Sequence, residues 1–189
     1  MNSPKNKKAP KSSGQTYLQL FVPLDTIARW YIAVEKALGR VKPQDGHFHI
    51  TVAFIKDKID LVTAKKVAEL LEEELHGMTA PTLVFDTVDV FPAENGEENI
   101  VNLTASQVPE EWVAFVDRIR VRLSSAGYHL GPYRLHVTLA RVPSAIIGLE
   151  ELRARLARID VPEMPRTLTK ADYRFKGAKE SIKEWKLTK

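Results

Sequence analysis

Two short stretches of this chain carry residues suited to moving protons around a phosphate. His49-Ile50-Thr51-Val52-Ala53-Phe54 returns near residue 136 as His136-Val137-Thr138-Leu139-Ala140-Arg141. Each copy is His-x-Thr within an apolar, β-branched run, which reads as a buried strand. Strand side chains alternate between faces, so His and Thr at i and i+2 share a face, about 7 Å apart along it. Each copy therefore offers one imidazole and one hydroxyl side by side, and two such strands laid together place two of each around one small cavity. Imidazole exchanges its proton near neutral pH, so a pair can serve as general base and general acid at once. The hydroxyls suit phosphoryl oxygens, although a backbone carbonyl would also satisfy them. One His-x-Thr by itself reads as structural; the doubling, at corresponding places in two similar halves, points to a site.

The elements that must position these residues follow from apolar periodicity. Tyr17–Val22 reads as a strand stopped by Pro23. A helix through Leu38 follows, capped by Asp25 or Thr26, with Ile27, Trp30, Tyr31, Val34 and Leu38 on its buried face and Gly39 at its end. The polar loop Lys42–Gly46 leads into the first His-Thr strand, residues 47–55. A helix over 62–76 carries Val67, Leu70, Leu71 and Leu75, with Thr63 as its cap, and a strand over 83–91 closes this half. The second half repeats the order: a strand over 99–104, a helix from Pro109 ended by Gly127, the second His-Thr strand over 133–142, and a helix over 146–158. Strands over 167–175 and 182–187 complete it. Each half thus reads β-α-β-α-β, which predicts a two-lobed α+β fold with the motif strands central and the helices outside.

With 189 residues and 44% hydrophobic content, residues 15–189 are expected to form a single bilobal domain. The lobes span roughly 15–95 and 96–189, with the termini free to exchange between them. Met1–Gly14, holding Lys5, Lys7, Lys8 and Lys11 and no acidic residue, reads as a disordered basic tail. An electrostatic arm for RNA is the functional alternative. The net charge of +4 is compatible with an anionic ligand. Without cysteine, disulfides and thiolate metal sites are excluded. No apolar run approaches a membrane span and the N-terminus lacks an apolar signal region, so a cytoplasmic protein with no membrane partner is expected, most simply a monomer.

On these residues the chain resembles the two-histidine phosphoesterase superfamily, particularly its LigT-like branch of RNA 2′,3′-cyclic phosphodiesterases and 2′,5′-RNA ligases. The paired motifs are His49-Ile50-Thr51-Val52 and His136-Val137-Thr138-Leu139. Leu20–Leu24 is similar to the family's opening strand, Val88–Pro92 to the strand closing its first lobe, and Tyr133–Arg141 to its second motif. The resemblance covers about residues 16–189. It implies a bilobal fold with pseudo-two-fold symmetry, two halves built on central antiparallel sheets, outer helices, and a cleft holding both motifs. It also implies metal-independent hydrolysis of 2′,3′-cyclic or 2′,5′-linked phosphodiesters of RNA or nucleotides, with no cofactor. His49 and His136 would be the acid–base pair and Thr51 and Thr138 the phosphate clamps. Reversible 2′,5′ ligation is allowed by the same chemistry, 2′,5′-oligoadenylate cleavage is a second enzymatic reading, and a non-catalytic RNA- or nucleotide-binding module is a third. Two departures from the branch bear on substrate preference. The loop before the first motif keeps Arg40 and Lys42 as its basic residues, and Val52-Ala53-Phe54 stands where leucine-lysine-phenylalanine is usual.

Further candidates surround the motifs. Arg134, two residues from His136, shares its face and is placed to contact a phosphate. Arg141, at odd spacing, is expected on the other face or at the strand end. Tyr133, Tyr173 and Phe175 are candidates to stack on a base, with core packing the competing reading. Lys170, Arg174, Lys176 and Lys179 cluster near the last turn and are expected as a solvated face, with an RNA-backbone contact the sharper reading. His47 with His49 and His136 would suit zinc, but no carboxylate accompanies them and the Thr pair would be unexplained. His47 is therefore expected as a strand-entry residue at the cleft rim, and no metal is expected.

Overall fold

The structure is a computed structural model and describes residues 13–39, 47–160 and 163–188. Most of the expected basic tail, and Arg40 and Lys42 of the loop before the first motif, lie outside the described residues. Ser13 and Gly14, assigned to the tail from sequence, open a strand. The first half runs β1 (Ser13–Phe21), α1 (Leu24–Leu38), β2 (His49–Asp60), α2 (Leu61–Leu75), β3 (Thr82–Phe85) and β4 (Thr87–Pro92). The second runs β5 (Glu98–Thr104), α3 (Glu110–Ser125), β6 (Val137–Pro143), α4 (Leu149–Leu156), β7 (Met164–Thr167), β8 (Lys170–Phe175) and β9 (Lys183–Lys186). The fold is α+β.

A seven-stranded sheet has the order β4-β5-β6-β2-β1-β8-β9, with every neighbouring pair antiparallel. Exchanging the halves (β1 for β5, β2 for β6, β4 for β8) leaves the first six strands in the same order reversed, which is the signature of a pseudo-two-fold axis between β2 and β6. β4 of the first half completes the sheet of the second, and β8 of the second completes that of the first. At the axis the two half-sheets touch lightly: β2 and β6 share the register pair Ile50↔Val137. A separate two-stranded sheet, β3 with β7, is symmetric under the same exchange.

Apolar periodicity located these elements, and local hydrogen bonding set their ends. The strand expected over 83–91 breaks at Asp86, whose carboxylate takes the Ser106 amide at 2.8 Å and the Thr87 hydroxyl at 2.8 Å. β3 and β4 can then join different sheets. The strand expected over 167–175 likewise divides, because Leu168 turns its amide to the Pro81 carbonyl at 2.9 Å. At α1 the N-cap is Pro23 rather than Asp25 or Thr26. At α2 it is Asp60 rather than Thr63, its carboxylate accepting the Thr63 amide at 2.7 Å. Gly127 ends α3 at φ +90°, a conformation that costs a residue with a Cβ. The helices bury the expected stripes, Trp30 and Trp112 among them, against one face of the sheet, whose inward residues include Leu18, Leu20, Ile50, Val137 and Leu139. The opposite face carries both motifs. Among the described residues no helix is long and apolar enough to cross a membrane.

Candidate active site

His49 opens β2, but His136 stands one residue before β6, not within a strand starting at Tyr133. The reason is local. Pro132 has no amide to give a ladder, and the preceding chain is instead tied across to β2: Gly131 donates to the Phe54 carbonyl at 2.8 Å and Leu130 bridges Ile55. The Thr104 hydroxyl holds the Leu135 carbonyl at 2.8 Å. Because Ile50 and Val137 meet in antiparallel sense, the residues flanking them come together crossed. His49 lies towards Thr138, and Thr51 towards His136. The two imidazoles therefore occupy one diagonal of a square and the two hydroxyls the other, with diagonal Cα positions about 8 Å apart by ordinary sheet dimensions.

Both rings are oriented the same way. His49 Nδ1 donates to the His47 carbonyl at 3.2 Å, and His136 Nδ1 to the Arg134 carbonyl at 2.9 Å. A carbonyl only accepts, so each Nδ1 carries the proton and each Nε2 keeps its lone pair. Burial lowers the His49 pKa to about 4, against the pull of its carbonyl partner and with help from His47 and His136. Burial also lowers the His136 pKa; the Arg134 carbonyl opposes this, while the positive charges of Arg134 and Arg141 add to it.

Both motif strands are bulged just past the threonine. In β1–β2 the register steps from Leu18↔Ala53 to Gln19↔Thr51, leaving Val52 without an opposite residue. In β5–β6 it steps from Val101↔Ala140 to Asn102↔Thr138, leaving Leu139 so. An extra residue reverses the face of everything beyond it. Arg141, opposite Ile100, thus returns to the face of His136 and Thr138, contrary to the alternation expected from sequence. Its counterpart Phe54, opposite Tyr17, returns to the face of His49. Ala53, in the position where the family usually has lysine, is buried in the core and not beside the imidazole.

A polar row crosses the floor beneath: Asp89, Asn102 and Thr138 in register on one side, Thr51, Gln19 and Asp172 on the other. Gln19, Asn102 and Asp172 are almost wholly buried. None of the three was anticipated, although a lone amide between apolar residues (Leu18-Gln19-Leu20, Val101-Asn102-Leu103) was the available signal.

The other candidates fare unequally. The Arg134 guanidinium lies 4.3 Å over the Phe91 ring, which meets His136 edge-on at 5.2 Å, so this cation stands beside the second imidazole. Tyr133 is half-buried against the core. Its hydroxyl accepts Trp112 Nε1–H at 2.7 Å, and burial pushes its pKa up to about 12. Tyr173 and Phe175 fail as stacking residues, being 0% and 3% exposed; the Tyr173 hydroxyl is 2.7 Å from that of Thr16. Arg174 belongs to no solvated face: it is buried and paired with Asp172. Rings beside the imidazoles include Tyr17, 5.7 Å from His49, Phe21, 5.5 Å from His47, and Phe91 against His136. His47 lies beside His49 and bonds Gln19, and among the described residues no group of three or more His, Asp or Glu is arranged to hold a metal ion.

A mirrored antiparallel sheet with a His-x-Thr pair facing itself across the axis is what the resemblance to the two-histidine phosphoesterases implies. Solved structures agree. LigT of E. coli complexed with NADP+ matches with a TM-score of 0.64 at 15% identity, over 94% of this chain and 99% of LigT. LigT complexed with 3′-AMP gives 0.63 at 16%, over 94% and 99%. Usb1 of Kluyveromyces marxianus with uridine monophosphate gives 0.58 at 11%, over 92% and 98%. No curated protein sequence matches the chain. The sequence profile of the 2′-5′ RNA ligase superfamily matches residues 19–170, and the chain belongs to that superfamily.

Proposed function

We propose that the protein is a metal-independent phosphodiesterase that opens 2′,3′-cyclic phosphate ends of RNA or nucleotides to monoesters. The observation that carries this reading is the crossed square of two Nδ1–H imidazoles and two threonine hydroxyls. A displacement at phosphorus needs a base on the incoming oxygen and an acid on the departing one, on opposite sides, and the diagonal imidazoles answer that demand. His49, neutral well below neutral pH, accepts the proton of the attacking water at Nε2. His136, entering the step as the imidazolium with a second proton on Nε2, delivers that proton to the leaving ribose oxygen and keeps its Nδ1–H on the Arg134 carbonyl. Thr51 and Thr138 donate to the non-bridging oxygens, with Arg141 and Arg134 supplying positive charge as the pentavalent centre gains negative charge. The nucleotides bound by LigT and Usb1 support a nucleotide substrate. With a ribose 5′-hydroxyl in place of water as the nucleophile, the same groups would open the cyclic phosphate to a 2′,5′ bond, the 3′ oxygen leaving.

The test is turnover of a set of 2′,3′-cyclic nucleotides and of 2′,5′-linked diadenylate in EDTA, by wild type and by His136→Ala. Cyclic phosphate opened by wild type and not by the variant supports the reading. Turnover abolished by EDTA and restored by zinc, or absent from wild type, sinks it.

A further inference from the structure

The reaction proposed above uses two of three clustered imidazoles and leaves His47 without a part. Its ring lies 6.0 Å from that of His49, and its carbonyl is the acceptor that fixes His49 Nδ1. Residue 47 precedes β2, so the strand ladder does not hold that carbonyl. Its side chain has an anchor: Nε2 is 2.8 Å from the Gln19 amide nitrogen. Gln19 is 0% exposed and sits in register between Thr51 and Asp172. Asp172, 2% exposed, is gripped through one oxygen by Arg174 Nε at 2.6 Å and by the Ser181 hydroxyl at 2.6 Å.

Two buried oxygens at this point have no partner among the described residues, Gln19 Oε1 and Asp172 Oδ1. They belong to cross-strand neighbours, and each such orphan is costly. A half-turn of the Gln19 amide exchanges its oxygen and nitrogen. So turned, the amide oxygen accepts His47 Nε2–H, and the amide nitrogen takes the place of the unpartnered Oε1 on the strand beside Asp172. The Gln19 oxygen is then satisfied, a donor stands on the strand neighbour of the free Asp172 oxygen, and the row becomes directional: carboxylate, amide, imidazole, carbonyl, catalytic imidazole. Among the described residues the second motif has no such line. There the corresponding carbonyl belongs to Arg134, whose side chain is held by Phe91.

We propose that Asp172, Gln19 and His47 form a positioning relay that fixes residue 47 and thereby holds His49 as its Nδ1–H tautomer, with Nε2 turned to the reacting phosphorus. The relay rests on the reading of His49 as the base, but its structural consequence is measurable without substrate. Histidine side-chain 15N NMR would be recorded on the full chain for wild type, Gln19→Met, His47→Ala and His47→Gln, alongside steady-state kinetics on the 2′,3′-cyclic nucleotides. In wild type His49 is Nδ1-protonated. Gln19→Met and His47→Ala mix its tautomers and lower kcat by about tenfold to a hundredfold with KM little changed, as loss of orientation does. His47→Gln, which keeps a donor for the Gln19 oxygen, recovers most of both. A pure Nδ1–H His49 with unchanged kcat in Gln19→Met and His47→Ala overturns the relay and leaves the phosphodiesterase reading intact. Mixed tautomers in a protein that turns over no phosphodiester support the relay and end the reading of the reaction. Should Gln19→Met not fold, the rim substitution His47→Ala decides by the same two signals.

Discussion

At the scale of single residues, the site reduces to two hydroxyls and two imidazoles, each imidazole with its Nδ1 proton fixed by a backbone carbonyl. Replacing His49 or His136 by alanine should lower kcat by about 10²–10⁴-fold, the usual worth of a positioned acid or base. Thr51→Val or Thr138→Val should cost less, because each removes one of several oxygen contacts. The pH dependence follows from burial. The base must be unprotonated, so kcat/KM rises with pH through the His49 value of about 4. The acid must be protonated, so it falls as pH passes the His136 value, which lies below the usual 6.5. A kcat/KM profile measured on a cyclic nucleotide should therefore peak on the acid side of neutrality. The same imidazoles bind protons more readily once unfolded, so stability should decline as pH falls from 6.5 towards 4, visible as a lower urea midpoint at pH 5 than at pH 7. These four side chains were legible in the sequence because a doubled His-x-Thr needs no tertiary information. Tyr173 and Phe175 were not: an aromatic on a strand reads the same whether it faces a ligand or the core.

At the scale of elements, the two bulges separate what alternation could reveal from what it could not. Counting by twos from His136 sends Arg141 to the core face, and the unpaired Leu139 brings it back. Such an insertion leaves no mark in composition, so only the register shows it. Arg141→Met should weaken kcat/KM for anionic substrates while leaving the thermal midpoint near that of wild type, since its ion pair with Glu98 is exposed. Tyr173→Phe should do the opposite. Losing the buried hydroxyl pair with Thr16 should cost about 1 kcal/mol of stability in denaturant titration, with kcat unchanged. The divided strands were likewise hidden, because Asp86 reads as one more alternating residue until its carboxylate captures the Ser106 amide 20 residues ahead.

At the scale of the whole molecule, each half-sheet is completed by a strand from the other half, β8 beside β1 and β4 beside β5. Residues 1–95 and 96–189 made as separate chains should each fail to fold, and mixing them should restore both the far-UV circular dichroism of the intact chain and its turnover. Independent folding of either piece would contradict the mutual dependence. The repeat was visible in the order of elements, but not this exchange, since periodicity says which residues form a strand and nothing about its neighbour. The mirrored strand order carries a last implication, about descent. A polypeptide of half this length, docked on its own copy about the same axis, would present the same four side chains, one histidine and one threonine from each subunit. Identical subunits, however, give both histidines one and the same acidity when empty, whereas the chemistry wants a donor and an acceptor. Joining two copies in one gene removes that constraint. His47 and Gln19 can then surround one imidazole, Arg134 and Arg141 the other, and the two are free to specialise.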